Sequence, residues 1–230
     1  MRLRGGEGGR TVTARSQTAE EYLEAIFKLQ RSQAPLSVRR LADELGVSPQ
    51  AASEMVARLR AAGLVREAGD GSGVSLSEQG EAEGAALVRR HRLSERFLSD
   101  YLNLPWDAVH EAACKLAHVL SSAFEARLAA QLGHPETCPH GHAIPDERGV
   151  LHEVPTRPLS ELGAGERAVV HCVTEEDPEL LRYLAALGLV PGTEVSVEAV
   201  APFRGPLLVS VGGTQYALGR EVAAKVRVRA

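Results

Sequence analysis

Three cysteines in 230 residues, Cys114, Cys138 and Cys172, are too few and of the wrong parity for a disulfide framework, which points to reduced thiols. No stretch approaches the roughly 18 uninterrupted apolar residues of a membrane span, and the N-terminal segment lacks the apolar core of a signal peptide. The chain is therefore expected in the cytoplasm, without a membrane partner. Aromatic residues are scarce, at four Phe, four Tyr and one Trp. Composition is otherwise that of a globular protein long enough for about two domains, each with its own core. There is no overall excess of positive charge either, since the formal net charge is −4. Spread evenly, that balance would count against nucleic-acid binding. It is uneven: residues 1–66 carry +4 and the remainder −8, which places any nucleic-acid contact at the N-terminal end.

The most informative stretch is His110 to His118, which reads H-x-x-x-C-x-x-x-H. Four helical residues turn through about 400°, so His110, Cys114 and His118 lie along one stripe of a helix. Imidazole and thiolate together suit a divalent transition metal, with geometry rather than affinity setting the choice. The plain alternative is two partly buried histidines around a small core cysteine.

Residues 1–15, rich in glycine and arginine, have too little apolar content to fold and read as a basic tail. Thr18-Ala-Glu-Glu21 has the form of a capping box opening a first helix, with Tyr22, Ala25, Ile26 and Leu29 at helical spacing. Glu21 and Glu24 are i,i+3 neighbours there. Ser37 caps a short helix ended by Gly46, and Ser48 with Pro49 opens another ended near Gly63. Two short helices joined through Gly46-Val47-Ser48 form a helix-turn-helix pattern. The expected DNA-facing residues are Arg39 and, on the second helix, Ser48, Pro49, Gln50, Ala51, Ser53, Glu54 and Arg58. Leu64-Val65-Arg66 and Val74-Ser75-Leu76 around Gly69–Gly73 read as the two strands of a wing. Such winged modules mostly bind duplex DNA, phosphate contacts giving affinity and base contacts giving sequence.

From Ser77 the spacing predicts a long helix to about Leu102, with His91 and Glu95 one turn apart, and then a second from Trp106 to about Leu132 that holds the His110–His118 stripe. Apolar surface left over on this pair predicts a homodimer. Pro135 to Pro158 has little periodicity and contains Cys138-Pro-His140-Gly-His142, whose Cys and His could bind metal although the stretch lacks the second ligand pair of a structural zinc site. Short strands follow at about 168–173, 194–200, 207–211, 215–218 and 226–228, with a helix over 178–187 and a Gly212-Gly213 hairpin turn. The fold class is therefore α+β: a winged helix-turn-helix over 16–77, an all-α dimerisation and metal-binding domain over 78–150, a linker over 151–157 and a small SH3-like β-barrel over 158–230.

This order of elements, with Thr18–Leu23, Arg90–Glu95, Val109–Cys114 and His118, resembles the diphtheria-toxin-repressor family of metal-dependent transcription regulators, whose manganese-responsive members share the superfamily. Leu181–Gly192 is similar to the FeoA-type module. The resemblance implies a primary metal site at Glu21, Cys114 and His118. It implies an ancillary site at His91, Glu95 and His110, completed by Glu176 and Asp177. Where the family usually places a carboxylate before the final histidine this chain has Ala117, and Glu24 is the residue able to replace it. Glutamate at position 21 favours harder Mn2+, while Cys114 favours Fe2+ or softer ions, so the expected cofactor is Mn2+ or Fe2+ with Mn2+ ahead. The implied protein is a homodimeric repressor of metal-uptake genes, activated by metal on a palindromic double-stranded operator, with no organic substrate. Two alternatives stand beside it. One is a winged-helix regulator with a structural metal or an organic effector. The other is a metal-dependent hydrolase, for which the chain shows neither a strand-borne nucleophile nor a separate general base.

Overall fold

Ser16, rather than Thr18, starts the first helix: its side chain accepts a hydrogen bond from the Ala19 amide, and α1 runs Gln17–Leu29. The capping-box pattern at Thr18 lies two residues inside, where its carboxylates still lie near the positive end of the helix dipole. The computed structural model describes residues 16–31, 36–68, 73–174 and 177–229. The expected tail over 1–15, most of the turn over 69–73, and Glu176 lie outside the described residues.

Two compact units divide the chain, 1–84 and 85–230, and the division falls inside one long helix. In the first unit, α2 (Val38–Leu45) is capped by Ser37 and stopped by Gly46, whose φ of 63° is the left-handed value that favours glycine. Ser48 caps α3 (Pro49–Ala61) by accepting from the Ala51 amide, with Pro49 in the first turn, where no amide partner is needed. Leu41 and Ala42 of α2, Ala52, Val56 and Leu59 of α3, and Leu23, Ile26 and Phe27 of α1 are buried. Each large member of that core contributes about 1.5–3 kcal/mol. β1 (Val65–Glu67) pairs antiparallel with β2 (Val74–Leu76), Val65 opposite Leu76. Helix, helix-turn-helix and wing are all present in the order expected.

α4 (Glu78–Asp100) continues into the second unit, where α5 (Val109–Ala117) and α6 (Ser122–Gln131) follow. The single helix expected from Trp106 to Leu132 is thus two shorter ones preceded by a turn. Ser121 accepts from the Phe124 amide and restarts the helix after His118, so a local cap overrides an apolar pattern that runs on through the break.

The chain then reaches β3 (Arg157–Pro158), a single 3-10 turn at Leu159–Glu161, β4 (Arg167–Val173), α7 (Pro178–Ala186), β5 (Glu194–Val200), β6 (Leu207–Val211), β7 (Thr214–Leu218), α8 (Arg220–Lys225) and β8 (Val226–Arg229). The six strands form one antiparallel sheet in the order β3-β8-β4-β5-β6-β7. Alternation puts Leu207, Val209 and Val211 of β6 inward, against Val170, Leu181, Leu184, Val195, Val197, Val226 and Val228. Gly212 and Gly213, both at positive φ, make the two-residue turn between β6 and β7. β3 and α8, of two and six residues, carry too short a pattern to be read from spacing.

Candidate metal centre and nucleic-acid interface

Buried polar side chains are costly unless paired, and the second unit concentrates them. His91, Ser94 and Glu95 on α4, and His140 in the loop after α6, are all buried. Glu95 is the hub. A single carboxylate oxygen lies 3.2 Å from His91 Nε2, 3.3 Å from His110 Nδ1 and 3.5 Å from His140 Nδ1. The first two nitrogens are themselves 3.1 Å apart. Metal–nitrogen and metal–oxygen bonds of about 2.1 Å imply donor separations of about 3.0 Å in an octahedron and about 3.4 Å in a tetrahedron. The triangle of His91, His110 and Glu95 therefore has the dimensions of one face of a coordination polyhedron.

Each imidazole of that triangle offers its other nitrogen to sulfur. Cys114 Sγ lies 3.9 Å from His91 Nδ1 and 3.6 Å from His110 Nε2. Burial pushes the Cys114 thiol up, but the hydrogen bonds of His110 and His91 and their charge pull it further down, to about 6. The shift favours the thiolate, the form that binds metal. Burial likewise raises the Glu95 carboxyl, while hydrogen bonds from His110, His140 and His91 hold it well below the usual carboxylate range.

A second set shares Glu95. Donor atoms of Glu95, Cys138 and His140, all buried, lie within 4.8 Å of one another, as do those of His91, His110 and Cys114. His140 Nε2 donates to the Trp106 carbonyl at 2.9 Å. That bond fixes the ring so that Nδ1 faces the Glu95 carboxylate, the kind of outer hydrogen bond that orients a metal-binding imidazole. Burial and the Glu95 charge push the Cys138 thiol well up, so this sulfur becomes a ligand only when a cation displaces its proton. Sequence spacing marks Cys138 and His140 as candidate ligands but not their partner Glu95, which is 43 residues away from the cysteine and on another element.

The other residues implied by the resemblance stand as follows. Glu21 and Glu24 lie on α1 in the first unit, where Gln17 donates to Glu21 at 3.0 Å and Lys28 pairs with Glu24 at 2.9 Å. His118 is the C-terminal cap residue of α5 and falls in neither donor set among the described residues. Asp177 is exposed and caps α7, accepting from the Leu180 amide at 2.8 Å. Cys114 is placed with His91 and His110, the residues implied for the ancillary site.

The expected nucleic-acid face is simpler. Arg39, Ser48, Pro49, Gln50, Ala51, Ser53, Glu54 and Arg58 are all exposed, while Ala52, Val56 and Leu59 of the same helix are buried. α3 thus turns one full face of small, polar and basic side chains to solvent. Gln50 donates to Glu54 at 3.2 Å along that face. Among the described residues no helix is long and apolar enough to cross a membrane.

Residues 15–72 match the iron dependent repressor N-terminal DNA binding domain, 77–146 the iron dependent repressor metal binding and dimerisation domain, and 157–230 the FeoA domain. The chain is 37% identical over 223 residues to the iron-dependent repressor IdeR of Mycobacterium tuberculosis, covering 92% of this chain and 96% of that protein. It is 31% identical over 221 residues to the diphtheria toxin repressor of Corynebacterium efficiens, at 92% and 94% coverage. Among solved structures, a manganese-dependent transcriptional repressor in complex with manganese superposes with a TM-score of 0.84 at 36% identity, covering 91% of this chain and 98% of that one.

Proposed function

The chain belongs to the iron-dependent repressor family, and from that membership we propose that it is a metal-activated transcriptional repressor that binds a palindromic operator as a homodimer. It is a regulator and no enzyme, in keeping with a family made up of DNA-binding repressors. The observation that carries the metal dependence is Glu95, a fully buried carboxylate facing three histidines, with the Cys138 thiol beside it, within the matched metal-binding and dimerisation domain.

When bound, Mn2+ or Fe2+ supplies a positive charge that holds the convergent carboxylate, imidazole and thiolate donors together. Relatives are named as iron-dependent by sequence and manganese-dependent by structure, and the mixed donor set here accommodates both. His91, Glu95 and His110 hold one ion, with Cys138 and His140 alongside and Glu176 and Asp177 as the further donors the resemblance implies. For a primary ion the same resemblance supports Cys114 and His118 with Glu21 and Glu24, the latter filling the place that Ala117 leaves without a donor. Donors drawn from the DNA-binding and the dimerisation domains bind the ion only in arrangements that bring them together, so ligation narrows the orientations that the recognition helix samples. The two α3 helices of a dimer then read major-groove half-sites about one helical turn apart. Target genes for metal uptake follow from a repressor that needs the metal to act.

A duplex selected from a random pool, titrated with Mn2+, Fe2+, Zn2+ and chelator in parallel, tests this. Operator affinity should rise at least tenfold with Mn2+ or Fe2+ and collapse with chelator. Affinity indifferent to chelator would instead mark a winged-helix regulator with a structural metal or an organic effector.

A further inference from the structure

Cys138 and His140 occupy a loop that is seated on the C-terminal sheet through one residue. Gly141 has a φ of +90°, and a Cβ there would lie 1.9 Å from the His171 carbonyl oxygen and 2.8 Å from Cys172 Cα. No side chain fits, so glycine alone lets the loop lie directly on β4. Beside it the Val173 amide donates to the His140 carbonyl at 3.1 Å. The pairing of β4 with β8 slips between Val170 and Cys172, which places the bulge at His171, the residue whose carbonyl meets Gly141.

The loop is held from its other sides as well. Trp106 Nε1 donates to the Pro139 carbonyl at 3.1 Å, and the same indole packs against the core of the sheet. Arg92 donates to the Ala143 carbonyl, and Arg89 to the Pro145 carbonyl at 2.6 Å. Within the loop, the Gly141 amide returns to the Cys138 carbonyl at 2.9 Å and the Cys138 amide to the His142 carbonyl at 2.9 Å. Cys138, His140 and Gly141 therefore move as one piece, and β4 is the surface on which that piece rests.

We infer that Gly141 is a positioning residue that couples the Glu95, Cys138 and His140 donor set to β4, so that cation binding at this set and seating of the C-terminal sheet reinforce each other. The inference rests on the reading above that this set takes a divalent cation. His140 is the hinge of the coupling, because its backbone carbonyl accepts from β4 while its Nδ1 faces Glu95. Lifting the loop from β4 carries Nδ1 and the neighbouring thiol away from the carboxylate. Linkage then requires the reverse effect of equal size: a cation that fixes the loop protects β4.

Co2+ is the probe, since a thiolate ligand gives it a charge-transfer absorption that imidazole and carboxylate do not. In the full chain carrying Cys114→Ser, a band that disappears on adding Cys138→Ser reports this donor set. Adding Gly141→Ala instead should weaken Co2+ binding about 10- to 100-fold, the usual range for losing an outer support of a metal site. In the wild-type chain Co2+ should slow amide exchange at Val173, and Cys138→Ser should remove that slowing. This second measurement needs no glycine variant and stands even where Gly141→Ala fails to fold. Equal Co2+ affinity with and without Gly141→Ala, or exchange at Val173 indifferent to Co2+ in a protein that shows the band, overturns the coupling and leaves the metal reading intact. Absence of a Cys138-dependent band overturns the metal reading for this set and the coupling with it.

Discussion

Glu95 shows how much a single residue's role depends on its neighbours. One turn from His91 on a helix, it has the spacing of an ordinary ion pair, which at a surface is worth little. Buried, with His91, His110 and His140 facing one oxygen, it becomes the centre of the molecule's polar interior. Its carboxyl is held below the usual range despite burial, and the sign of the consequence follows. The stabilisation is complete above the unfolded value of about 4.3 and is lost as pH falls through the lower folded value. Urea unfolding of the chelator-treated protein should therefore show an acid limb that Glu95→Gln flattens, while the variant is less stable than wild type at neutral pH. Acid limbs of equal slope would mean that Glu95 is not the group being titrated.

At the scale of elements, local signals and close approaches compete. The caps at Ser37 and Ser48 were legible because a side-chain oxygen needs only the next turn of backbone. The restart at Ser121 went the other way, because apolar spacing continues across the break between α5 and α6. Gly80 gives a sharper case. In an exposed helix, alanine gains about 1 kcal/mol over glycine, yet a Cβ at Gly80 would lie 2.0 Å from the Leu64 carbonyl oxygen. The start of α4 is pressed against the entry to β1, where Ser77 also donates to the Gly63 carbonyl at 2.6 Å. Gly80→Ala should accordingly destabilise the first unit by about 1–3 kcal/mol, the range for overpacking. A rise in its melting temperature would show that propensity wins and that the backbone yields at little cost.

Across the whole molecule, the basic balance sits in the N-terminal 66 residues and both buried candidate donor clusters lie beyond residue 85, so that only the proposed Glu21 and Glu24 donors share a region with the DNA-facing helix. This separation predicts that the two activities can be damaged independently. Arg58 is exposed on α3, and Arg58→Ala should weaken operator binding and reduce its salt dependence by about one unit of slope if the side chain meets a phosphate. Metal affinity, measured by calorimetry without DNA, should stay at the wild-type value. A loss of metal affinity with DNA binding intact would reverse the assignment of the two regions.

Sequence alone determined the element order as far as α4, the helix-turn-helix, the sheet strands from β4 to β8 and the residues that α3 presents, because helical and strand periodicities, caps and turn glycines act over a few residues. It also determined the stripe that holds His110 and Cys114 on one helix. Only the tertiary structure decided which donors meet. Cys114 lies with His91 and His110 because α4 and α5 pack side by side, and Cys138 with His140 reaches Glu95 through a loop without periodicity whose placement depends on Gly141, Trp106 and β4. Convergence of this kind is set by packing between segments far apart in the chain, where burial excludes water and leaves one carboxylate to be shared among three imidazoles.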